Sequence, residues 1–290
     1  MRDQPPPNPG LRMEHASTGA PRNQVQAYPP DPARIPPFEV VDGDYSARFA
    51  RSPSELDELL RLRFEVFNLE LGEGLVESHS EGLDRDPYDE HCHHLVVEHL
   101  PTGAIIGTYR LQTAEMAAAG AGFYSNDEFD LEAWPAEVLG ASCEVGRACI
   151  ARDYRHRRVL LLLWRGLGAY VLHNRKRYFF GCCSLTSQDP LDAARMSEYL
   201  RRNDRIHPQL DLQPRPDYDC NEQELDSSGW EDVKVPRLMG TYLRYGAWIC
   251  GRPAIDRKFK TIDFLALMDL DEMDPERILR QFEVDLRDRQ

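Results

Sequence analysis

Residues 142–177 constrain the fold more than any other part of the chain. Ser142 to Ala151 reads as a strand, Asp153 to Arg158 as a polar turn, and Val159 to His173 as a helix that is apolar on nearly every side. A helix with no polar face must be covered around most of its circumference, so it is expected at the centre of the molecule. Tyr178 to Cys183 follows as a short apolar run suited to a buried strand.

The same stretch is chemically unusual. Between Arg147 and Arg177 nine basic residues stand against one acid, Asp153, a local charge of +8 in a chain whose net charge is −14. Arg152, Arg155, Arg157 and Arg158 gather with His156 at the strand-to-helix turn, where free backbone N–H groups and the helix dipole already favour an anion. A phosphate or an acidic protein is the expected ligand. Nucleic acid is not, because the chain as a whole repels it and no recognition motif is present. The competing reading is a solvated basic face.

Glu144 and Arg147 lie just before this turn. Three residues apart in a regular strand, they would point to opposite faces. Gly146 between them is a natural place for a bulge, which would turn both toward one side, so a distorted strand is expected over Val145 to Ala148. A carboxylate beside an opened strand can take a proton from an amine, and Arg147 could hold either that carboxylate or one on a substrate. A plain internal ion pair is the alternative.

The rest of the chain frames this unit. Of 290 residues, 41% are hydrophobic and 29% charged, which fits a globular protein with a substantial core. The longest apolar run, Val159 to Trp164, is far short of the roughly 20 residues that span a bilayer. With no apolar leader segment, a cytoplasmic location is expected. Seven cysteines without a C-x-x-C pair fit reduced thiols. Ten of 21 prolines fall within residues 1–37, read as a disordered leader, and 38–290 as the folded domain with a C-terminal extension. Short strands are expected at Phe38 to Val41 and Tyr45 to Ala50. A helix capped by Ser54 is expected to run to about Leu71. Arg63 lies inside that helix's apolar stripe, where facing inward it needs a carboxylate or a bound anion; the competing reading is an arginine that snorkels to a rim. Residues 72–92 form a long acidic loop before an antiparallel hairpin of His94 to Glu98 and Ala104 to Gln112. Helices are expected at Leu191 to Arg205 and Val235 to Trp248, a late strand at Ile262 to Met268, and a terminal helix capped by Asp274.

Three other constellations carry less. His91, Cys92, His93 and His94 are adjacent in or near a strand, where side chains diverge, and no metal site is expected. Ser184, Thr186 and Ser187 lack a nucleophile elbow. Gly166 and Gly168 lie within the apolar helix and suit close packing rather than a dinucleotide.

In combination the residues are familiar. Glu144, Gly146, Arg147 and Ile150, followed by Tyr154, Arg155, Trp164 and Gly166, resemble the bacterial ornithine lipid acyltransferases of the GNAT superfamily. So do Val235 to Ala247, Asp256 with Phe259, Thr261 with Asp263 and Phe264, and Asp269 with Leu270. Arg63 with Phe67 and Asp84 with Tyr88 and Asp89 are also similar to the related acyl-homoserine lactone synthases. The resemblance implies an α+β fold around a twisted mixed sheet flanked by helices, with two parallel strands splayed to admit an acyl-pantetheine arm. It implies transfer of a 3-hydroxy fatty acyl chain from acyl carrier protein to the α-amine of ornithine. No cofactor is implied beyond the acyl carrier protein or coenzyme A thioester as co-substrate. Glu144 and Arg147 match the reacting centre, and Arg63, Asp84, Asp89 and Arg110 match charged substrate-binding positions. Cys149, Ile150, Arg155, Arg157 and Arg158 fall at the phosphopantetheine turn. The glycine-rich pyrophosphate loop of ordinary GNAT acetyltransferases is absent, which favours a carrier-protein donor. A one-chain lipid product suits a peripheral encounter with the inner membrane. Other readings are acylation of another amino acid or amine, including acyl-homoserine lactone synthesis, and a non-catalytic acyl or carrier-protein binding module.

Overall fold

A computed structural model describes residues 28–272. Nine strands form one sheet: β1 (Glu39–Asp42), β2 (Tyr45–Phe49), β3 (His93–His99), β4 (Ala104–Thr113), β5 (Ser142–Ile150), β6 (Tyr178–Leu185), β7 (Trp248–Ile249), β8 (Ala254–Asp256) and β9 (Thr261–Asp269). The order is β1-β2-β3-β4-β5-β6-β9-β7, with β8 also on β9. Every named pairing is antiparallel except β5 with β6. The helices are α1 (Pro53–Arg63), α2 (Ala114–Ala119), α3 (Ala136–Gly140), α4 (Arg157–His173), α5 (Pro190–Arg202) and α6 (Arg237–Arg244).

The helix expected to be central is α4. Val159, Leu163, Trp164, Leu167 and Tyr170 pack with Phe49, Leu95, Val97, Tyr109, Leu111 and Phe179 on one face of the sheet. A Cβ on Gly166 would collide with Leu95, so its glycine brings helix and strand together, as the spacing suggested. On the same face, further along, α5 and α6 cover Cys183, Leu185 and Phe264. On the other face α1 covers Val96, Ile105 and Cys149, while Phe123, Phe129 and Trp134 cover Phe180, Leu265 and Leu267. The period of two along each strand thus divides the molecule into two layers with different chemistry.

Several expectations need correction. Ser52, not Ser54, caps α1: its hydroxyl accepts the Glu55 N–H, the Glu55 carboxylate accepts the Ser52 N–H, and Pro53 takes the first helical position. The helix then widens into a π turn over Phe64–Glu70. Residues 28–37 belong to the folded unit rather than to a leader: Ile35 is buried in the α4 core, and Pro30 C=O bonds His93. The rest of the leader and the helix expected after Asp274 lie outside the described residues. The hairpin of β3 and β4, the strand after α4 and the late strand β9 stand where they were expected. All seven cysteines are free thiols. Among the described residues no helix is long and apolar enough to cross a membrane.

Candidate active site

The site begins where two neighbouring strands part. β5 and β6 pair only from Ser142 with Tyr178 to Glu144 with Phe180. Beyond that point β5 stays on β4 to Ile150 and β6 stays on β9 to Leu185, so a wedge opens between them. Two local features hold it. At its apex a Cβ on Gly181 would lie well under 3.0 Å from the Val145 carbonyl oxygen, a separation only glycine allows. In β5, Cys149 faces Thr108 but Gly146 faces Arg110, so Arg147 and Ala148 together oppose Tyr109. This is the expected bulge. The left-handed residue is Arg147 (φ 46°) rather than Gly146. That backbone costs on the order of 1–3 kcal/mol, and the contacts of the Arg147 side chain offset it. Gly181→Ala is expected to lower unfolding stability by about 1–3 kcal/mol, readable as a shifted urea midpoint, because the strands must move to admit the methyl group.

The wedge leads into a cavity of about 770 Å³. Leu160, Leu163, Trp164, Leu167, Met239 and Tyr242 line it on the α4 and α6 side, and Gln112, Tyr124, Ser125, Glu144, Arg147 and Asp263 on the other. One layer suits an acyl chain and the other a polar acceptor.

Glu144 sits at the apex, 7% exposed. Its two oxygens accept the N–H groups of Tyr124 (2.9 Å) and Ser125 (2.7 Å). Burial raises its pKa above the ordinary carboxylate value, and these hydrogen bonds and the Arg110 charge only partly oppose the rise. A fixed carboxylate with a raised pKa is suited to accept a proton.

Arg147 does not pair with Glu144. Its guanidinium lies 3.8 Å from the Phe259 ring centroid and 4.7 Å from that of Tyr124, with Nη2 3.4 Å from Asp86. Behind it lies a buried ionic network. Arg63, fully buried, donates to Asp84 (2.8 Å) and Asp89 (2.6 Å). Arg110 donates to Asp86 (2.6 Å) and Asp89 (3.0 Å). The inward-facing Arg63 therefore has its carboxylates, supplied by the long acidic loop. Arg63, Asp84 and Asp89 lie in this network and not among the residues lining the cavity, whereas Arg110 does both. His93 and His94 diverge as expected, one to Tyr170 and the other beside Asp89.

The basic stretch divides. α4 has 17 residues and is about 25 Å long, so the basic residues after it lie far from the turn. There Lys176 pairs with Glu115, and Arg177 with Asp269. At the turn Arg155 forms a two-pronged pair with Glu70 (2.6 and 2.7 Å) and donates to the Ile150 carbonyl (2.9 Å), while Arg158 turns away to Asp42. Arg157 is exposed, lines the cavity and has no carboxylate within ion-pair reach among the described residues. The expectation of one +8 surface is therefore corrected to a smaller cationic mouth. It consists of Arg157, the uncapped N-terminus of α4, and Arg237 at the start of α6, which the sequence reading did not single out.

The backbone settles which amide faces the wedge. Ala151 N–H donates to the Ile106 carbonyl, and the register then commits Cys149 to Thr108 while Ile150 alternates outward, as its bond from Arg155 shows. Ile150 therefore offers its N–H to the wedge, and Cys149 does not. Burial pushes the Cys149 thiol up to about 12, which leaves it inert.

A splayed parallel pair with a helix N-terminus at its mouth defines the class of the protein. Residues 62–165 match the acetyltransferase (GNAT) domain family. Over 80% of its length the chain is 31% identical to the L-ornithine N(alpha)-acyltransferase of Brucella abortus, covering 86% of that protein. It is 30% identical over 77% of its length to the enzyme of the same name from Rhizobium meliloti, covering 79% of it. The chain belongs to the L-ornithine N(alpha)-acyltransferase family. Among solved structures, a CoA-dependent acyl-homoserine lactone synthase aligns at 14% identity and TM-score 0.47, over 80% of this chain and 84% of that one. FeeM, an N-acyl amino acid synthase from uncultured soil microbes, aligns at 12% and 0.47, over 82% and 98%.

Proposed function

We propose that this chain transfers a fatty acyl group from a thioester to the α-amine of ornithine, with a 3-hydroxyacyl carrier protein as donor. The observation that carries this reading is the wedge beyond Glu144, which joins an apolar layer to a polar one through a gap in the sheet. The named activity of the family supports the acceptor. In the proposed reaction the neutral α-amine attacks the thioester carbonyl, and the Ile150 N–H stabilises the oxyanion. Glu144 takes the amine proton as the C–N bond forms, and the C–S bond then breaks to release the thiol, which regains that proton. Arg147 and Arg110 face the substrate's α-carboxylate.

For the donor, the free N–H groups at the start of α4 and the Arg157 side chain suit the phosphate of a pantetheine arm. Arg157→Glu is expected to raise KM for the carrier-protein thioester several-fold at low salt and less at high salt, as a rim charge does. Leu69, Leu71 and Val76 are exposed apolar side chains beside Val66 and Phe67 of the cavity wall. They support peripheral contact of a cytoplasmic enzyme with the membrane that receives its product. The decisive test supplies the purified protein with ornithine and a 3-hydroxyacyl thioester, on carrier protein or on coenzyme A, and weighs the product. An Nα-acylornithine is expected, formed faster from the carrier-protein donor. Fatty acid alone, or no turnover with either donor, would overturn the assignment.

A further inference from the structure

The polar layer of the cavity holds a second acidic group that the proposed chemistry leaves unused. Glu128 (1% exposed) and Asp263 (2% exposed) lie with the Cys182 thiol so that their potential ligand atoms fall within 4.8 Å of one another. Asp256 is adjacent, its carboxylate accepting the Lys258 and Phe259 N–H groups and the Tyr124 hydroxyl. In the Arg63 network every carboxylate has an arginine. Here the electrostatic neighbours of Glu128 and Asp263 include each other, Asp256, Glu73, the Cys182 thiol and hydroxyl groups. One oxygen of each, Glu128 Oε1 and Asp263 Oδ1, is buried with no hydrogen-bond partner among the described residues. Unpartnered buried oxygens of this kind are uncommon in folded proteins and call for a ligand. Asp263 lines the cavity together with Cys182, Ser184 and Ser125, and Glu128 stands against Asp263 and Cys182.

Position identifies that ligand. Glu144 is the register partner of Phe180, and Cys182 lies two residues further along β6 on the same face, about 6.6 Å from Phe180 along the strand. Ser125 ties the two ends together: its N–H is on Glu144 and its hydroxyl is 3.5 Å from Cys182 Sγ. We propose that Glu128 and Asp263 bind the side-chain ammonium of a diamino acid acceptor and thereby set its specificity, while the α-amine sits at Glu144. This rests on the amino-acid acyl transfer proposed above and extends it to the residues that choose the acceptor. Before the ligand arrives, burial and the Asp256 charge hold both carboxyls above their ordinary range, a cost that an arriving ammonium relieves. A divalent metal is the less favoured occupant, since burial keeps the Cys182 thiol protonated and leaves two carboxylates as donors.

The test compares ornithine with norvaline, which has the same carbon chain without the terminal amine, in wild type, Asp263→Asn and Glu128→Gln. Wild type is expected to prefer ornithine in kcat/KM by at least ~100-fold, as sites built around a polar group discriminate against analogues lacking it. Each variant is expected to lose most of that preference, chiefly through a raised KM for ornithine. A preference that survives in both variants overturns the proposal. So does an equal loss with both substrates, which marks a structural role, or wild-type activity that a chelator removes and a divalent ion restores. If wild type acylates no amino acid from any donor, the functional reading itself fails and this inference falls with it.

Discussion

Glu144→Gln is expected to lower kcat by about 10²–10⁴-fold, the usual contribution of a general base, with KM for ornithine nearly unchanged. Glutamine keeps the size of the side chain and one acceptor oxygen for the Tyr124 or Ser125 N–H, so the wedge should keep its shape. The pH profile separates chemistry from architecture. Burial raises the Glu144 pKa, so the wild-type rate should rise with pH through that raised value as the carboxylate becomes available. The glutamine variant should lose this limb. Near-normal kcat would remove Glu144 from the reaction and leave it as the fixture that holds the 124–125 turn.

Arg63→Met should cost about 3–5 kcal/mol, because it leaves two buried carboxylates facing each other without their shared cation. The pH dependence gives the sign. In the wild type, burial alone would push the Asp89 carboxyl up, but Arg63 and Arg110 outweigh burial and hold it well below the ordinary range. That stabilisation is present above the unfolded pKa of about 3.9 and is lost as pH falls through the depressed native value. In the variant Arg110 is the one arginine left on Asp89, so burial gains weight and the native pKa rises. The stabilisation lost with that rise is the part present at higher pH, so the gap between the two proteins should be widest near neutrality and narrow toward pH 4. Urea titrations at both pH values measure it, and a pH-independent gap would show that lost packing alone accounts for the cost.

The unequal legibility of the site in the sequence has physical reasons. α4 was readable because its apolar residues cover all sides, and the bulge because two functional side chains sat at an impossible spacing around a glycine. Helical period alone puts Arg63 in the apolar stripe, but only the carboxylates brought in by the distant loop decide between burial and snorkelling to a rim. The cationic mouth was misjudged because charge counted along a chain ignores the length of a helix: Arg177 and Arg157 stand at opposite ends of α4, and most of the set already has acidic partners. Glu128 and Gln112 were not singled out because nothing local marks them. Glu128 lies in an irregular acidic segment, and its meaning comes only when β9 brings Asp263 beside it. Gly181 was invisible as a functional position, since only the parting of β5 from β6 makes its missing side chain matter.

The gap through the sheet has a consequence for how such enzymes diversify. On the proposed chemistry, thioester and amine reach one carbon from opposite layers, so chain-length preference and amino-acid preference are written on separate residues. A lineage can rework Asp263 and Glu128 without touching Trp164 or Tyr242, and exchange one headgroup for another while keeping the tail.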